Sequence, residues 1–190
     1  MANEKIGFAL TGSFCTFEKA LKQMEQLARL GYDLYPIMSE ISYSTDTRFG
    51  KAADFRKRME ETAGKQIIHT IAQAEPIGPK ALLDLVVVAP CTGNTLAKLA
   101  WGVTDTPVTM AVKAHLRNRR PVLVGVSTND ALGAAAKNIG MLLNARGIYF
   151  IPMGQDAPAD KPASVVAHFD LLPKAVEAAL KGTQLQPVLG

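Results

Sequence analysis

The run Leu85-Val86-Val87-Val88-Ala89 is apolar at every position. A strand with no polar face must be covered on both sides, which is the situation of a central strand in a parallel sheet sandwiched between helices. Shorter apolar runs recur at Ile6–Leu10, Leu34–Met38, Val122–Val126 and Ile148–Ile151, and the chain between them has helical spacing. Phe17, Ala20, Leu21, Met24, Leu27 and Ala28 lie on one helical face, with Glu18, Lys19, Lys22, Gln23, Glu25 and Arg29 on the other. Thr16 stands where a cap is needed and Gly31 where a left-handed stop is cheapest. Ala52, Phe55, Met59 and Ala63 mark a second helix closed by Gly64, and Thr106-Pro107 opens another. Such alternation of strands and helices predicts a single three-layer α/β domain with a parallel sheet of five or six strands.

Other segments are less periodic. Ser39 to Gly50 is polar with no clear period, and Gln66 to Ile71 is expected to be a short strand. Ala74 to Pro79, with two prolines and a glycine, reads as loop. Thr95 to Trp101 reads as helix, and Leu132 to Leu143 carries a helical stripe. From about residue 152 a Pro-rich connection leads to a final helix over Asp170–Lys181. No internal repeat or long linker divides residues 1–190, so one domain is expected.

Charge and composition exclude several classes. With 48% hydrophobic and 20% charged residues the chain is neither disordered nor fibrous. The net charge of +4 contains no block of five or six like charges, so no nucleic-acid arm is indicated. The basic stretch Arg117–Arg120 reads as a helix end. The longest apolar run, Leu82–Pro90, is broken by Asp84 and falls far short of the roughly 18 to 20 residues of a membrane span. The acidic N-terminal segment does not resemble a signal peptide, and a cytoplasmic location is expected. Two cysteines make neither a disulfide framework nor a zinc quartet, and His69, His115 and His168 have no metal spacing; no metal site is expected.

In a doubly wound sheet ligands bind beyond the carboxyl ends of the strands. Here Thr11-Gly12-Ser13, Thr92-Gly93-Asn94 and Ser127-Thr128-Asn129 follow three strands and precede helices. Small hydroxyl and amide residues beside a glycine let backbone N–H groups approach an anion. One such loop is ordinary capping; three that converge point to a nucleotide-like ligand. No G-x-G-x-x-G follows the first strand and no G-x-x-x-x-G-K-[ST] exists, so a dinucleotide or triphosphate is disfavoured. A single phosphate needs less, and FMN meets that requirement.

Individual residues carry competing readings. Cys15 and Cys91 sit in the ligand loops, where a small buried cysteine is the commoner reading than a nucleophile. Asp105 and Asp130 fit helix caps, and Asp130 alternatively orients a substrate or moves a proton. Trp101 reads as core or subunit interface, and Lys98 is open between a surface and a site role. Arg48, in a polar loop, is either a surface ion-pair residue or a guanidinium fork for a carboxylate.

From Ile6 to Gln186 the chain resembles the dipicolinate synthase B-subunit family, through Gly7–Ser13, Ser44–Gly50, Ala74–Lys80, Ala89–Asn94, Ser127–Leu132 and Phe150–Asp156. That family lies within the superfamily of homo-oligomeric flavin-containing cysteine decarboxylases. The resemblance implies a flavodoxin-like/Rossmann-like domain binding FMN between subunits of a trimer-based homo-oligomer. Ala89-Pro90-Cys91-Thr92-Gly93-Asn94-Thr95 is similar to the superfamily's Pro-x-Ser-Ala-Asn-Thr loop. By that likeness the cofactor-binding candidates are Thr11, Gly12, Ser13, Ser39, Thr92, Gly93, Asn94, Thr95 and Ser127, with Asn94 near the flavin ring. The decarboxylases' Pro-x-Met-Asn clasp is replaced here by Gly125-Val126-Ser127-Thr128-Asn129-Asp130, which keeps only the amide of Asn129. His69 lies near the place of their catalytic histidine, inside a loop peculiar to this sequence, and the role is not carried over.

The expectation is therefore a flavoprotein that acts with the A-subunit of dipicolinate synthase, which by resemblance is a nicotinamide-dependent dehydrogenase. NAD(P) enters only through that partner. Together they would oxidise dihydrodipicolinate to pyridine-2,6-dicarboxylate in the mother cell of a sporulating bacterium. Arg48, Asn129 and Asp130 are the catalytic candidates around this small dicarboxylate. The alternatives are an FMN-dependent decarboxylase of a cysteine-containing substrate and a non-catalytic flavin- or nucleotide-binding protein of assembly.

Overall fold

The computed structural model describes residues 3–190; Met1 and Ala2, the start of the N-terminal segment, lie outside the described residues. Strand β1 (Lys5–Leu10) is buried from its second residue on. One 3-10 turn leads into α1 (Phe17–Arg29), which buries Phe17, Ala20, Leu21, Met24 and Leu27. Thr16 occupies the cap position, but its hydroxyl donates to the Ser13 carbonyl (2.9 Å) instead of capping. Gly31, at φ 93°, turns the chain into β2 (Asp33–Met38). The stretch without periodicity contains a short helix, α2 (Glu40–Ser44), followed by α3 (Ala52–Ala63).

The strand expected at Gln66–Ile71 does not form. That segment adds one bridge, Ile68 to Ile37, and passes into α4 (Ile71–Ala74) through a Thr70–Gln73 capping box. The paired β3 (Leu85–Cys91) and β4 (Val122–Thr128) are the deepest strands. α5 (Gly93–Ala100) and α6 (Pro107–Leu116) lie between them in the chain, and α7 (Ala136–Leu143) and β5 (Ile148–Phe150) follow. The Pro-rich connection conceals β6 (Met153–Gly154), and β7 (Val165–Ala167) precedes α8 (Leu172–Leu180).

The result is a single α/β domain whose sheet has seven strands, larger than the five or six expected. The order is β2-β1-β3-β4-β7-β6, with β5 paired to the first half of β4. β1 to β5 are parallel, whereas β7 returns antiparallel against Ser127 and Thr128 and against β6. Alternation within the strands supplies two cores. Ile6, Phe8, Leu10, Leu85 and Val87 pack under α1, α3 and α8, while Ala9, Val86, Val88 and Val124 pack under α6 and α7. The chain leaves β1 for β2 on one side and returns to β3 on the other, so the crevice beyond the ends of β1 and β3 is the topological switch point. Among the described residues no helix is long and apolar enough to cross a membrane.

Candidate active site

The three hydroxyl-rich loops meet at that crevice, because β1, β3 and β4 are neighbours in the sheet. Thr11 is buried and joins the first two loops: its hydroxyl donates to the Pro90 carbonyl (2.9 Å) and accepts from the Thr92 N–H (3.0 Å). The first and third loops share a hydroxyl pair, Ser13 Oγ to Ser127 Oγ at 2.7 Å, with Thr16 Oγ1 3.2 Å from Ser127. The rim surrounds a cleft of about 660 Å³ lined by Gly12, Ser13, Thr92, Ser127, Asn129 and Asp130. That volume lies within the roughly 300 to 1,000 Å³ of small-molecule sites.

Arg48 reaches the same cleft from the loop before α3, with its guanidinium 4.9 Å from the Phe49 ring centroid. Of the catalytic candidates, Arg48, Asn129 and Asp130 thus share one space. Five of the nine cofactor candidates do not line it, three because they are buried in the scaffold and two because they face elsewhere. Ser39 is buried and bonds to Ser42 Oγ (2.8 Å), Thr95 is buried and accepts from the Thr92 hydroxyl (3.1 Å), and Thr11 is the internal stitch already described. Gly93 and Asn94 face a second, smaller cleft of about 370 Å³ between α5 and α7. Asp130 lines both clefts.

Asp130 is held by one side chain and lies close against the start of α5. The Thr128 hydroxyl donates a short hydrogen bond to its Oδ1. At the N-terminus of α5, a Cβ on Gly93 would lie 2.8 Å from the same oxygen and 2.9 Å from Thr128 Oγ1. Only a glycine there lets the carboxylate approach the first turn of the helix, where unpaired N–H groups favour negative charge. Gly93→Ala is expected to displace Asp130 rather than unfold the domain, because that carboxylate is exposed and can rotate away. The melting temperature of Gly93→Ala should stay nearly unchanged, within about 3 °C in a thermal scan, while a fall of more than that would show that Asp130 cannot yield.

Several residues at the cleft are not legible in the sequence as site residues. Thr128 reads there only as part of a loop. Lys19, on the exposed face of α1, lines the cleft, and Asp156 and Lys161 form its far wall as an ion pair of 3.3 Å. The Ser164 hydroxyl, then Lys161, hold the Asp156 carboxyl below its ordinary value. A helix pattern gives no hint that Lys19 overlooks the strand ends, and the far wall exists only because β7 folds back on β4. Asn129 accepts from the Ser164 hydroxyl at 3.4 Å, a further tie to that wall.

The other candidates resolve simply. Cys91 is buried, and desolvation raises its thiol, so it stays protonated; Cys15 is exposed at the cleft. Lys98 and Asp105 pair with each other at 2.7 Å, so Asp105 is not a cap; Thr106 caps α6. Trp101 is 66% exposed and therefore not core. His69 stacks on Tyr43, 4.0 Å between ring centroids, away from the cleft. Among the described residues no group of three His, Cys, Asp or Glu side chains is placed to hold a metal.

A doubly wound sheet with a hydroxyl-lined cleft at its switch point defines a class, and comparison identifies it: the Flavoprotein family model matches residues 1–169, and the chain belongs to that family. Within it, the chain is 49% identical over 189 residues to the B-subunit of dipicolinate synthase from Bacillus subtilis (strain 168), covering all of this chain and 94% of that protein. The crystal structure of the dipicolinate synthase B-subunit from Bacillus halodurans C superposes with a TM-score of 0.92 at 47% identity, covering 100% of this chain and 97% of that one. The fold extends to the FMN-dependent cysteine decarboxylase SpaF, with a TM-score of 0.67 at 18% identity over 94% of this chain and 95% of that one.

Proposed function

We propose that the chain is the flavin-binding component of a dipicolinate synthase, that it takes FMN in the larger cleft, and that it works with the synthase's A-subunit on a small unsaturated dicarboxylate. The observation that carries this reading is the joining of three strand-end loops by Thr11 and by the Ser13–Ser127 pair at the rim of a cleft of about 660 Å³. The residues fit the cofactor. Gly12 lines the cleft with backbone alone, and the hydroxyls of Ser13, Thr92 and Ser127 offer partners for oxygen-rich groups. Ser39, Thr11 and Thr95 serve this reading as scaffolding that holds the loops in place. When bound, the flavin supplies a two-electron acceptor for one ring hydrogen of a dihydropyridine together with its bonding pair.

The chain's own groups do the rest. Aromatisation of dihydrodipicolinate also releases a proton, and in this scheme Asp130 accepts it; its contact with the Thr128 hydroxyl and its place on the cleft support the role. Arg48 pairs with a substrate carboxylate through its planar fork. Asn129 donates its amide to the ligand while its oxygen stays with Ser164. The A-subunit is the nicotinamide-linked partner in this scheme, and assembly into a homo-oligomer completes the rim.

Titration with FMN, with and without the A-subunit, tests the reading. A shifted flavin absorbance band and quenched flavin fluorescence in the micromolar range are expected. No spectral change under either condition would reject the cofactor assignment. Release of carbon dioxide from a cysteine-containing substrate would instead support the decarboxylase alternative.

A further inference from the structure

A groove of about 440 Å³ runs between the last turn of α5 and the outer side of α6. It shares no lining residue with the larger cleft. From α6 it is lined by Thr109, Val112, Lys113, Leu116 and Arg117, spaced i, i+3, i+4, i+7 and i+8, so one continuous stripe of the helix faces it. Leu99 and Val103 stand opposite. Leu99 and Leu116 are only half-buried and Val103 is 42% exposed, so the groove leaves apolar surface uncovered. Lys113 and Arg117, one turn apart, are exposed and form no ion pair among the described residues. Like charges at this spacing repel. Among the described residues that line the groove none is acidic, and Lys98, also on its wall, is closed onto Asp105 at 2.7 Å. Compensation of the helix dipole accounts for the sign of the charges at this end of α6, but not for the apolar strip beside them. The end of α6 is also a fixed platform. The Asn118 side-chain NH2 donates to the Gly78 carbonyl at 2.6 Å, and Arg120 pairs with Asp84 at 3.1 Å.

We infer that this groove is the docking site for an amphipathic helix of a partner protein, apolar along one stripe and acidic beside it. A groove between two helices accepts a third whose apolar anchors, three or four residues apart, enter among Leu99, Val103 and Leu116. α6 is ten residues long, about 15 Å, which matches about three turns of an incoming helix. Charge selects the occupant. An acidic flank neutralises Lys113 and Arg117 and relieves their mutual repulsion, whereas a basic flank adds to it. Docking here leaves the larger cleft open, and α5 spans the two: its cap Thr92 lines that cleft and its last turn lines the groove. The preference for an acidic helix stands on these residues alone. That the helix belongs to the synthase's A-subunit rests on the proposed function.

Calorimetric titration of the purified protein with the A-subunit, at about 50 mM and about 300 mM salt, tests the site. The double variant Lys113→Glu/Arg117→Glu should weaken the complex at least tenfold at low salt, and by less at high salt where the charges are screened. Val103→Asp, at an exposed position outside any helix or strand, should weaken it several-fold with an unchanged circular dichroism spectrum. Lys174→Glu, a charge reversal on α8 across the sheet, should leave it unaltered. FMN titration of the double variant should match that of the parent. Equal affinity for the A-subunit in the parent, the double variant and Val103→Asp would overturn the groove and leave the partnership standing. No complex with the parent would overturn both. Loss of self-association in Val103→Asp, read by sedimentation of the chain alone, would give the groove to a second copy and overturn the inference.

Discussion

Gly12→Val is expected to abolish FMN binding while the domain stays folded. A Cβ at this position would meet Ile41 Cγ2 at 3.2 Å and Phe14 Cε2 at 3.7 Å. Ile41 is 56% exposed and can swing outward, so the cost to the fold should be about 1 kcal/mol or less. The cost to the ligand is larger, because the two γ-branches would fill the space in which an oxygen-rich group approaches the backbone between Thr11 and Ser13. A loss of roughly 2.7 kcal/mol corresponds to a hundredfold weaker complex, and a blocked anion contact should reach that. Flavin fluorescence titration of the variant, checked by circular dichroism for an unchanged fold, measures it. Unaltered affinity would place the phosphate elsewhere.

The second large effect concerns stability in acid. His115, at the end of α6, is 1% exposed, and its Nε2 has no partner. Burial first, and the positive Arg120 second, lower its pKa to about 4. Above pH 6.5 the imidazole is neutral whether the chain is folded or not. As pH falls from there toward 4, the unfolded chain takes up a proton that the folded one refuses, so stability declines. The full loss is roughly 3 kcal/mol at and below pH 4. His115→Leu removes both the titration and the orphaned nitrogen. Urea midpoints at about pH 7 and about pH 4.5 should therefore separate much less in the variant than in the parent, by about 2 to 3 kcal/mol of unfolding free energy. Equal pH dependence in the two proteins would assign acid sensitivity to other groups.

The parts of this architecture that are legible in the sequence are those decided by local pattern. Val86 to Val88 can be covered only from both sides, and Thr106-Pro107 announces its helix whatever lies nearby. Gln66–Ile71 misleads because Ile67 and Ile68 are adjacent apolar residues among polar ones, enough for one bridge but not for a ladder. β7 is three residues long and gains its place by pairing with the two-residue β6 and with the tip of β4, the latter a contact between segments far apart in the chain. The same limit applies to the site. The strand-end rule brings Gly12, Thr92 and Ser127 together without any knowledge of packing. Which way Asn94 faces, and that Asp130 borders two spaces, depends on where α7 docks against α5, and no local pattern encodes that.

The shared position of Asp130 has a thermodynamic consequence. An occupant of the larger cleft that reorients or shields this carboxylate changes the free energy of whatever enters the smaller one, and linkage makes the effect mutual. If an occupant of the larger cleft tightens a ligand of the smaller one by some factor, that ligand must tighten the first by the same factor. Saturation curves for either ligand would then shift with the concentration of the other, and Gly93→Ala, by moving the common carboxylate, should uncouple them.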